Sequence, residues 1–532
     1  MMRIGRSSII LWIVALAIVG IYTAVLIQNS LYQGSLALPM TFDDSSYYLD
    51  GARFIAALYD RGVSGIRSEY LPAPPHSPLS TGMAFVGFLV FGITKWSGYA
   101  VGGLVLACFV RLFLGASSSI PLGYAILLVI GLLTAPYFGQ TVMWFRPDMI
   151  VGLLMAAGSL LIVVSGDWVV RRRTQLLSGV FFGLALLAKP TVFHLTFAVF
   201  GVAFLLASVP HVVRKEWRLL CEAWLVTGLL GVLVALPHYY IAATSILTYI
   251  WDVVFGAQAE IWTRPVPFWQ SAKFYFVDPN YGWPVLGYWY IPTLFVGLVA
   301  VVARWLRSEP LLWSRGAAPA LLLLATYLLV TIPSFKGPHG FVFAALLIST
   351  AALGSVYLTA VLPKPVAWVI PVAALLFGIT TFVWPFQLRG GQPDHKFMAS
   401  RTEILDQAFS AIQALDSSKV MLETTSSVYL NYNNIALKAY EEGQKPLRPA
   451  SIAMATEENE IRDAISRSDA ILAFTPEYTM VFDHLPSASP DVRALTIRLI
   501  EESGRFGPPT AIEDKAAGGA ALIYKVRGEP PL

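Results

Sequence analysis

Charged residues are scarce in this chain of 532 residues. Asp, Glu, Lys and Arg together make up 13% of it, hydrophobic residues make up 56%, and the mean hydropathy is +0.63. Soluble globular domains are roughly one quarter charged. The deficit excludes an ordinary soluble protein and predicts a polytopic membrane protein. The net charge of +4 is too small to indicate a nucleic-acid partner.

Cysteine is also rare. Cys108 and Cys221 both fall inside or beside predicted membrane spans, so a structural disulfide between them is not expected. The sequence lacks an internal repeat and a low-complexity tract. Its C-terminal part has no phosphate-binding loop, metal-ligand cluster or nucleophile motif. We therefore expect no metal or other cofactor, although a carboxylate named below could bind a divalent cation.

The shortage of charge is confined to the first part of the chain. Residues 1–385 are a series of apolar runs, whereas residues 386–532 are rich in Glu, Asp, Lys, Ser and Pro. We predict a mostly α-helical membrane domain followed by a soluble α/β domain. In the soluble domain the pattern predicts helices at 400–415 and 457–467, and strands at 419–423, 469–474 and 521–526.

Apolar runs that approach the length of a membrane span, about 20 residues, recur through the membrane domain. The predicted spans are 9–27, 98–115, 119–136, 149–166, 175–188, 191–208, 219–237, 285–303, 317–333, 339–360 and 366–384. The first follows Arg3 and Arg6 and has no convincing cleavage site, which predicts an anchor that starts in the cytoplasm. The run Met83 to Thr94 is only about a dozen residues long, which is typical of a surface or half-inserted helix.

Basic residues between the spans predict the orientation. Arg171, Arg172 and Arg173 form the densest basic cluster of the membrane domain, and such clusters stay in the cytoplasm. With the N-terminus inside, this cluster is cytoplasmic only if residues 83–94 do not span. About eleven spans then cross the membrane, each needing roughly 20 apolar residues. We expect a multi-pass protein of the inner (plasma) membrane, with the domain 386–532 in the periplasm or outside the cell.

Under this topology most of the unusual polar residues face outward. The loop 29–97 carries two adjacent carboxylates, Asp43 and Asp44, ahead of a predicted helix from Ser45 to Asp60. That helix has one polar stripe and an aromatic remainder, which is typical of a helix lying along a membrane surface. The long loop predicted at 238–284 is rich in Trp and Tyr, which favour the membrane interface.

The acidic residues have structural and functional interpretations. Asp43 and Asp44 could cap the helix that follows, or one of them could bind a divalent cation or act as a general base on an acceptor hydroxyl. Asp148 follows Pro147 at a predicted helix start, where it could pair with Arg146. Alternatively, it could supply a second carboxylate near Asp43.

The basic residues have the same two kinds of interpretation. His76, in a Pro-rich loop, could be merely solvated or could donate a hydrogen bond to a leaving phosphate. Lys189, between two apolar runs, could reach the interface without a further role or could place its charge on a phosphate. Weaker candidates of the same kind are Arg264, Lys336 and His339.

Four motifs, taken in order, resemble the GT-C glycosyltransferases, and more closely the branch that contains protein O-mannosyltransferases and the aminoarabinose transferase of lipid A. They are Phe42-Asp43-Asp44-Ser45-Ser46-Tyr47-Tyr48, Pro74-Pro75-His76-Ser77-Pro78-Leu79, Arg146-Pro147-Asp148-Met149, and the run from Gly183 to Lys189-Pro190. The motifs cover residues 1 to about 200, and the topology extends the similarity to about 385.

The resemblance implies an inverting transfer of a sugar from a polyprenyl phosphate to an acceptor hydroxyl on a lipid, glycan or protein at the external face. Asp43 resembles the base and Asp148 the second external carboxylate, so both are expected to be catalytic. Lys189 resembles the basic residue after the fifth span. Residues expected around the donor phosphate and sugar are Asp44, His76, Arg146, Lys189, Arg264, Lys336 and His339. Many relatives have Lys where this chain has His76, so Lys189 or Arg264 would carry more of the phosphate charge.

Two other classes of protein fit parts of the sequence. A lipid or solute transporter would place ionisable residues near the middle of the bilayer. Here Arg111, His194 and Glu222 all lie near the ends of predicted spans. A non-catalytic scaffold displaying residues 390–532 would have no need of the ordered polar motifs.

Overall fold

The computed structural model describes most of the chain. The residues it does not describe are 1–5, 42, 255, 257–265, 278–284, 287–294, 301, 303–312, 333–340, 382–394, 456, 484 and 529–532. The candidates Arg264, Lys336 and His339 therefore lie outside the described residues. The chain divides into two compact units. The membrane unit comprises Met1–Gln28, Ser68–Met83 and Tyr99–Arg389, and the α/β unit comprises Asn29–Arg67, Ala84–Gly98 and Gly390–Leu532.

Up to residue 381, the described part of the chain is built of helices. In chain order they are α1 (Arg6–Gln33), α2 (Asp43–Tyr70), α3 (Pro78–Phe91), α4 (Ser97–Ala116), α5 (Leu122–Leu133), α6 (Pro136–Met143), α7 (Pro147–Val164), α8 (Arg172–Ala188), α9 (Phe193–Val213), α10 (Trp217–Val254), α11 (Phe268–Val277), α12 (Ala318–Thr331), α13 (Phe341–Val361), α14 (Lys364–Ala367) and α15 (Val369–Thr381).

Several of these helices are membrane-span candidates. Among the described residues, six helices are long and apolar enough to cross a membrane, or seven if α5 and α6, which are bent by 70°, form one broken span. The mostly helical, multi-pass membrane fold is confirmed. The total of about eleven spans stays a prediction, because α8 and α12 have only 17 and 14 residues and most of the predicted span 285–303 lies outside the described part.

Helix α3 contains most of the run that was predicted not to span. It has 14 residues, which at about 1.5 Å per residue reach roughly 21 Å, less than the ~30 Å hydrocarbon core. Its last turns expose Val86, Leu89, Val90 and Phe91. This length agrees with a surface or half-inserted helix, and the orientation that depends on it stays a prediction.

The prediction of a loop at 238–284 is wrong for those of its residues that the structure describes. Helix α10 continues through Pro237 to Val254, giving 38 residues and a length of about 57 Å. A proline removes one backbone hydrogen bond, but packing against neighbouring helices lets a membrane helix continue past it. Close packing is visible at Gly183 of α8, where an added Cβ would lie 2.5 Å from the Cβ of Val234. A second part of the predicted loop forms α11.

Helix α7 is the most enclosed part of the membrane unit, because nearly all of its side chains are buried. It packs against α8, α9 and α13. Gly152 permits one of these approaches, since a Cβ there would lie 2.8 Å from the backbone of Phe341. The N-terminal turn of this central helix carries Asp148, so its backbone is fixed by packing on several sides.

The C-terminal part of the α/β unit has a five-stranded sheet flanked by helices. Its elements are α16 (His395–Ile412), β1 (Val420–Glu423), α17 (Tyr432–Glu441), β2 (Arg448–Ser451), α18 (Glu458–Ser466), β3 (Ala470–Phe474), α19 (Pro490–Glu502), β4 (Thr510–Asp514) and β5 (Gly519–Lys525). The strand order is β2-β1-β3-β5-β4, with β1 parallel to β2 and β3, and β5 antiparallel to β3 and β4.

The predicted α/β fold of this part is confirmed, although two strands were missed. The apolar runs at 419–423, 469–474 and 521–526 are β1, β3 and β5. The edge strands β2 and β4 expose most of their residues and therefore lack an apolar run. Hydrophobic residues pack on both faces of the sheet, with Met421 on one side and Leu422 on the other.

Helix α2 is longer than predicted and packs differently. It begins at Asp43 rather than Ser45 and runs to Tyr70, with a break at Gly62, where φ is +65°. Its aromatic face packs on protein: the Tyr48 hydroxyl donates to the Lys95 carbonyl at 3.1 Å, and the Tyr48 ring meets Phe88 edge-on. The predicted polar stripe is present, and much of the opposite face is buried, with Tyr48 contacting residues 84–98.

Candidate functional site

Asp148 and Lys189 form an ion pair inside the membrane unit. The Lys189 ammonium donates to the Asp148 carboxylate, and the two side chains are 17% and 9% exposed. Two residues that lie 41 positions apart in the sequence are thus brought together as a carboxylate–ammonium pair. The structure does not assign them a catalytic or binding role, which stays a prediction.

Proline places both side chains at helix breaks. The residue before a proline is driven into an extended conformation, and Lys189 accordingly has φ −146° and ψ 85° between α8 and the 3₁₀ turn Pro190–Val192. Pro147 occupies the first position of α7, where its missing N–H costs nothing. Asp148 in that first turn is also stabilised by the helix dipole.

The pair lies at a small recess whose other walls are apolar. Side chains lining it include Val151, Met155 and Leu195 together with Asp148 and Lys189. In such surroundings an ion pair interacts more strongly than in water, but each charge has lost its hydration. Removing one partner would therefore leave the other charge poorly compensated.

The Pro-rich loop that carries His76 is tied to the same helix break. The Ser77 hydroxyl donates to the carbonyl of Ala188 at 2.6 Å, and Ser77 is fully buried. The exposed ring of His76 meets the ring of Tyr249 edge-on, with centroids 5.4 Å apart. Two of the predicted basic candidates, His76 and Lys189, thus lie in segments joined directly by a hydrogen bond.

His238, which the sequence pattern did not indicate as a site residue, lies beside these segments. It is 4% exposed, and its Nδ1 is 2.6 Å from the Tyr70 hydroxyl. Its Nε2 is buried with no hydrogen-bond partner within the described structure. The next residue, Tyr239, donates to the carbonyls of Leu186 and Pro190, at 3.3 Å each. The sequence does show a histidine directly after a proline in an apolar run. The prediction of a loop at 238–284 placed this histidine in the loop and not in a helix.

Arg146 contacts an aromatic ring. Its guanidinium carbon lies 5.5 Å from the centre of the Trp144 ring, within the range of a cation–π interaction. The pair between Arg146 and Asp148 stays a prediction, and the structure shows in addition that Lys189 forms a salt bridge with Asp148. Arg146 is the N-cap residue of α7.

The two adjacent carboxylates of the α/β unit lie in different environments. Both are in the first turn of α2 rather than ahead of it, so they interact with the helix dipole from inside the helix. Asp43 is exposed, whereas Asp44 is only 8% exposed. Of the two, Asp43 therefore has the carboxylate that a substrate can reach.

Helix α17 contacts the chain on both sides of these carboxylates. The Asn434 side chain donates to the Met40 carbonyl at 2.8 Å and to the Tyr429 carbonyl at 2.8 Å. The Asn433 side chain donates to the Ser45 hydroxyl at 3.2 Å. Residues 40–45, which we call the acidic turn, are therefore bonded to the C-terminal part of the α/β unit.

Two carboxyl groups in the α/β unit, the buried Glu423 and the partly buried Asp50, have raised pKa values. Burial raises the pKa of Glu423 to about 8, against a backbone hydrogen bond from Tyr432 that lowers it. Burial also raises the pKa of Asp50 to about 6, and the nearby Arg53, 3.2 Å away, opposes this. Neither group was indicated as a site residue by the sequence pattern. In the part of the chain that the structure describes, no three His, Cys, Asp or Glu residues are grouped as metal ligands.

Comparison with known proteins gives a match in structure but not in sequence. No protein family and no curated protein matches this chain. ArnT from Cupriavidus metallidurans in the apo state matches with a TM-score of 0.58 at 13% identity, over 94% of this chain and 97% of that chain. ArnT from the same organism bound to undecaprenyl phosphate matches with a TM-score of 0.57 at 12% identity, over 97% and 99%. The fold expected from the four motifs is confirmed: this chain has the fold of the lipid A aminoarabinose transferase ArnT, a GT-C protein.

Proposed function

We propose that this protein is a membrane glycosyltransferase of the GT-C type that uses a sugar linked to a polyprenyl phosphate. The observation that carries the proposal is the likeness of fold over nearly the whole chain to a protein that has been crystallised with undecaprenyl phosphate. The acceptor is a hydroxyl of a glycolipid, a glycan or a protein at the external face of the membrane.

Asp43 is the proposed base. Its carboxylate takes the proton of the acceptor hydroxyl as the hydroxyl oxygen attacks the anomeric carbon. The new carbon–oxygen bond forms on the face opposite the phosphate, the old bond breaks, and the polyprenyl phosphate leaves with the electron pair. The configuration is inverted. Holding the hydroxyl beside the base removes much of the entropic cost of a bimolecular step.

The basic residues are proposed to stabilise the leaving phosphate. Lys189 supplies a charge held in a mostly apolar recess, and Asp148 orients that charge through the ion pair. His76 and His238 lie in segments bonded to the same helix break and can donate to phosphate oxygens. Preorganised donors of this kind act on charge that develops as the bond breaks. The candidates Asp44, Arg146, Arg264, Lys336 and His339 are assigned to the donor phosphate and sugar.

Ligand binding by the purified protein tests the donor class. In nanodiscs, the protein should bind undecaprenyl phosphate and should not bind undecaprenol, which has the same chain without the charged group. It should also release undecaprenyl phosphate from an undecaprenyl-phosphate sugar when an acceptor extract is added. Competition by soluble nucleotide sugars alone would contradict the proposal. Movement of the lipid across liposomes without any transfer of sugar would favour a flippase instead.

The proposed orientation predicts that the C-terminus is external. A reporter that is active only outside the cytoplasm, fused after Leu532, should be active, because Arg171–Arg173 hold the loop between α7 and α8 in the cytoplasm. The matched control is the same reporter inserted at Gly166, in that loop, which should be inactive. An inactive C-terminal fusion with an active loop insertion would reverse the topology.

A further inference from the structure

Residues on both sides of Asp43 and Asp44 are bonded to one helical turn of the C-terminal domain. Before them, the Met40 carbonyl accepts from Asn434, and after them, the Ser45 hydroxyl accepts from Asn433. Asn434, Met40 and Ser45 are 4%, 8% and 1% exposed. These bonds join residues nearly 400 positions apart, so local sequence does not require them.

The turn that makes these bonds is itself held in place. Asn431 caps α17 by accepting from the backbone N–H of Asn434 at 3.0 Å, and its amide donates to the Ser427 carbonyl at 3.3 Å. The buried Glu423 at the end of β1 accepts a hydrogen bond from the backbone of Tyr432, the first residue of α17. The sheet, the cap and the first turn of α17 therefore form one support for the acidic turn.

We propose that Asn434, assisted by Asn433, is a positioning residue for Asp43, so that the C-terminal domain is a working part of the transferase. The inference rests on the proposed function, because it gives Asn434 an effect only through the base. Asn434 fixes the carbonyl three residues before Asp43, and Asn433 fixes the side chain two residues after it. The two bonds thus limit movement of the backbone that carries the Asp43 carboxylate.

The sharpest test replaces Asn434 by Asp or by Leu. Neither side chain donates to the Met40 carbonyl as the amide does, and Leu introduces no charge. We expect kcat to fall about 100-fold, the cost of misplacing a catalytic group by about 1 Å, with the KM for the lipid donor nearly unchanged. The matched control is Lys438→Gln, one turn later on the same helix, because the Lys438 ammonium pairs with Asp406 and Glu442 and lies outside the support described above. Its kcat should stay within about threefold of that of the wild type.

Two further measurements distinguish a role in positioning Asp43 from a general loss of stability of the C-terminal domain. Backbone amides of residues 40–47 should exchange hydrogen faster in both Asn434 variants than in Lys438→Gln. In the Asp43→Asn background, Asn434→Leu should cause no further loss of rate, because residues that act through one group are not additive. A purely structural role would lower the rate again and would lower the Tm of all three α17 variants together.

The outcomes distinguish this inference from the proposed function. If wild-type protein transfers no sugar from any polyprenyl phosphate, the proposed function fails, and the exchange measurement still decides whether α17 holds the acidic turn. If the wild type is active and both Asn434 variants keep their kcat, the positioning role is wrong although the function stands. An active Asp43→Asn variant whose rate falls further with Asn434→Leu would also overturn it.

Discussion

Replacing Asp43 by Asn is expected to lower the rate of sugar transfer by about 100- to 10,000-fold, which is the usual contribution of a general base. Asn has the same shape as Asp but cannot take a proton from the acceptor hydroxyl. The fold should be retained, because Asp43 is exposed and lies in the first turn of α2, where Asn is also tolerated. The rate is measured as release of undecaprenyl phosphate from the lipid-linked sugar.

Asp50→Asn is the matched control for this prediction. It makes the same change on the same helix, two turns further on, at a carboxyl group that pairs with Arg53 and whose pKa is raised to about 6 by burial. Its transfer rate should stay within a few-fold of wild type, since the Asp50 side chain is only 21% exposed and is paired with Arg53. Substantial activity in Asp43→Asn, with normal expression and membrane insertion, would reject Asp43 as the base.

Breaking the Asp148–Lys189 pair is expected to have the second large effect. Lys189→Met or Asp148→Asn alone should lower the free energy of unfolding by about 3–5 kcal/mol, because each removes the opposite charge from beside a poorly hydrated ammonium or carboxylate. The double variant should recover part of this stability, since neither charge remains in the recess. Thermal unfolding of the three variants in nanodiscs measures this cycle.

In the same three variants, donor binding and sugar transfer are not expected to recover together with thermal stability. If Lys189 acts on the donor phosphate, the double variant stays deficient in binding undecaprenyl phosphate and in transfer, even where its Tm approaches that of the wild type. Recovery of both stability and transfer in the double variant would show that the pair only holds α7 and α8 together. The donor phosphate would then have to be bound by a basic residue other than Lys189.

The sequence predicted elements best where one local property decides the structure. A bilayer admits only long apolar helices, so composition and run length located the spans that the structure describes. The buried strands β1, β3 and β5 were equally visible as short apolar runs. The sequence did not predict the edge strands β2 and β4 or the continuation of α10 beyond Pro237. These elements are stabilised by packing against other segments, and a local sequence pattern does not show which segments pack together.

The residues of the candidate site also differ in whether local sequence or long-range packing identifies them. Asp43, Asp148 and Lys189 could be chosen from their types, their neighbouring prolines and their place between apolar runs. His238 and Asn434 could not, since what distinguishes them is a buried ring nitrogen and an amide bonded to a carbonyl 394 residues earlier in the chain.

The sequence by itself determined that this is a multi-pass membrane protein with an α/β domain at its C-terminus, because hydrophobicity and its periodicity are properties of contiguous residues. Only the tertiary structure decided that Lys189 meets Asp148, that Ser77 joins the His76 loop to the end of α8, and that α17 holds the acidic turn. Those contacts depend on how distant segments pack, and packing is selected by the whole chain at once.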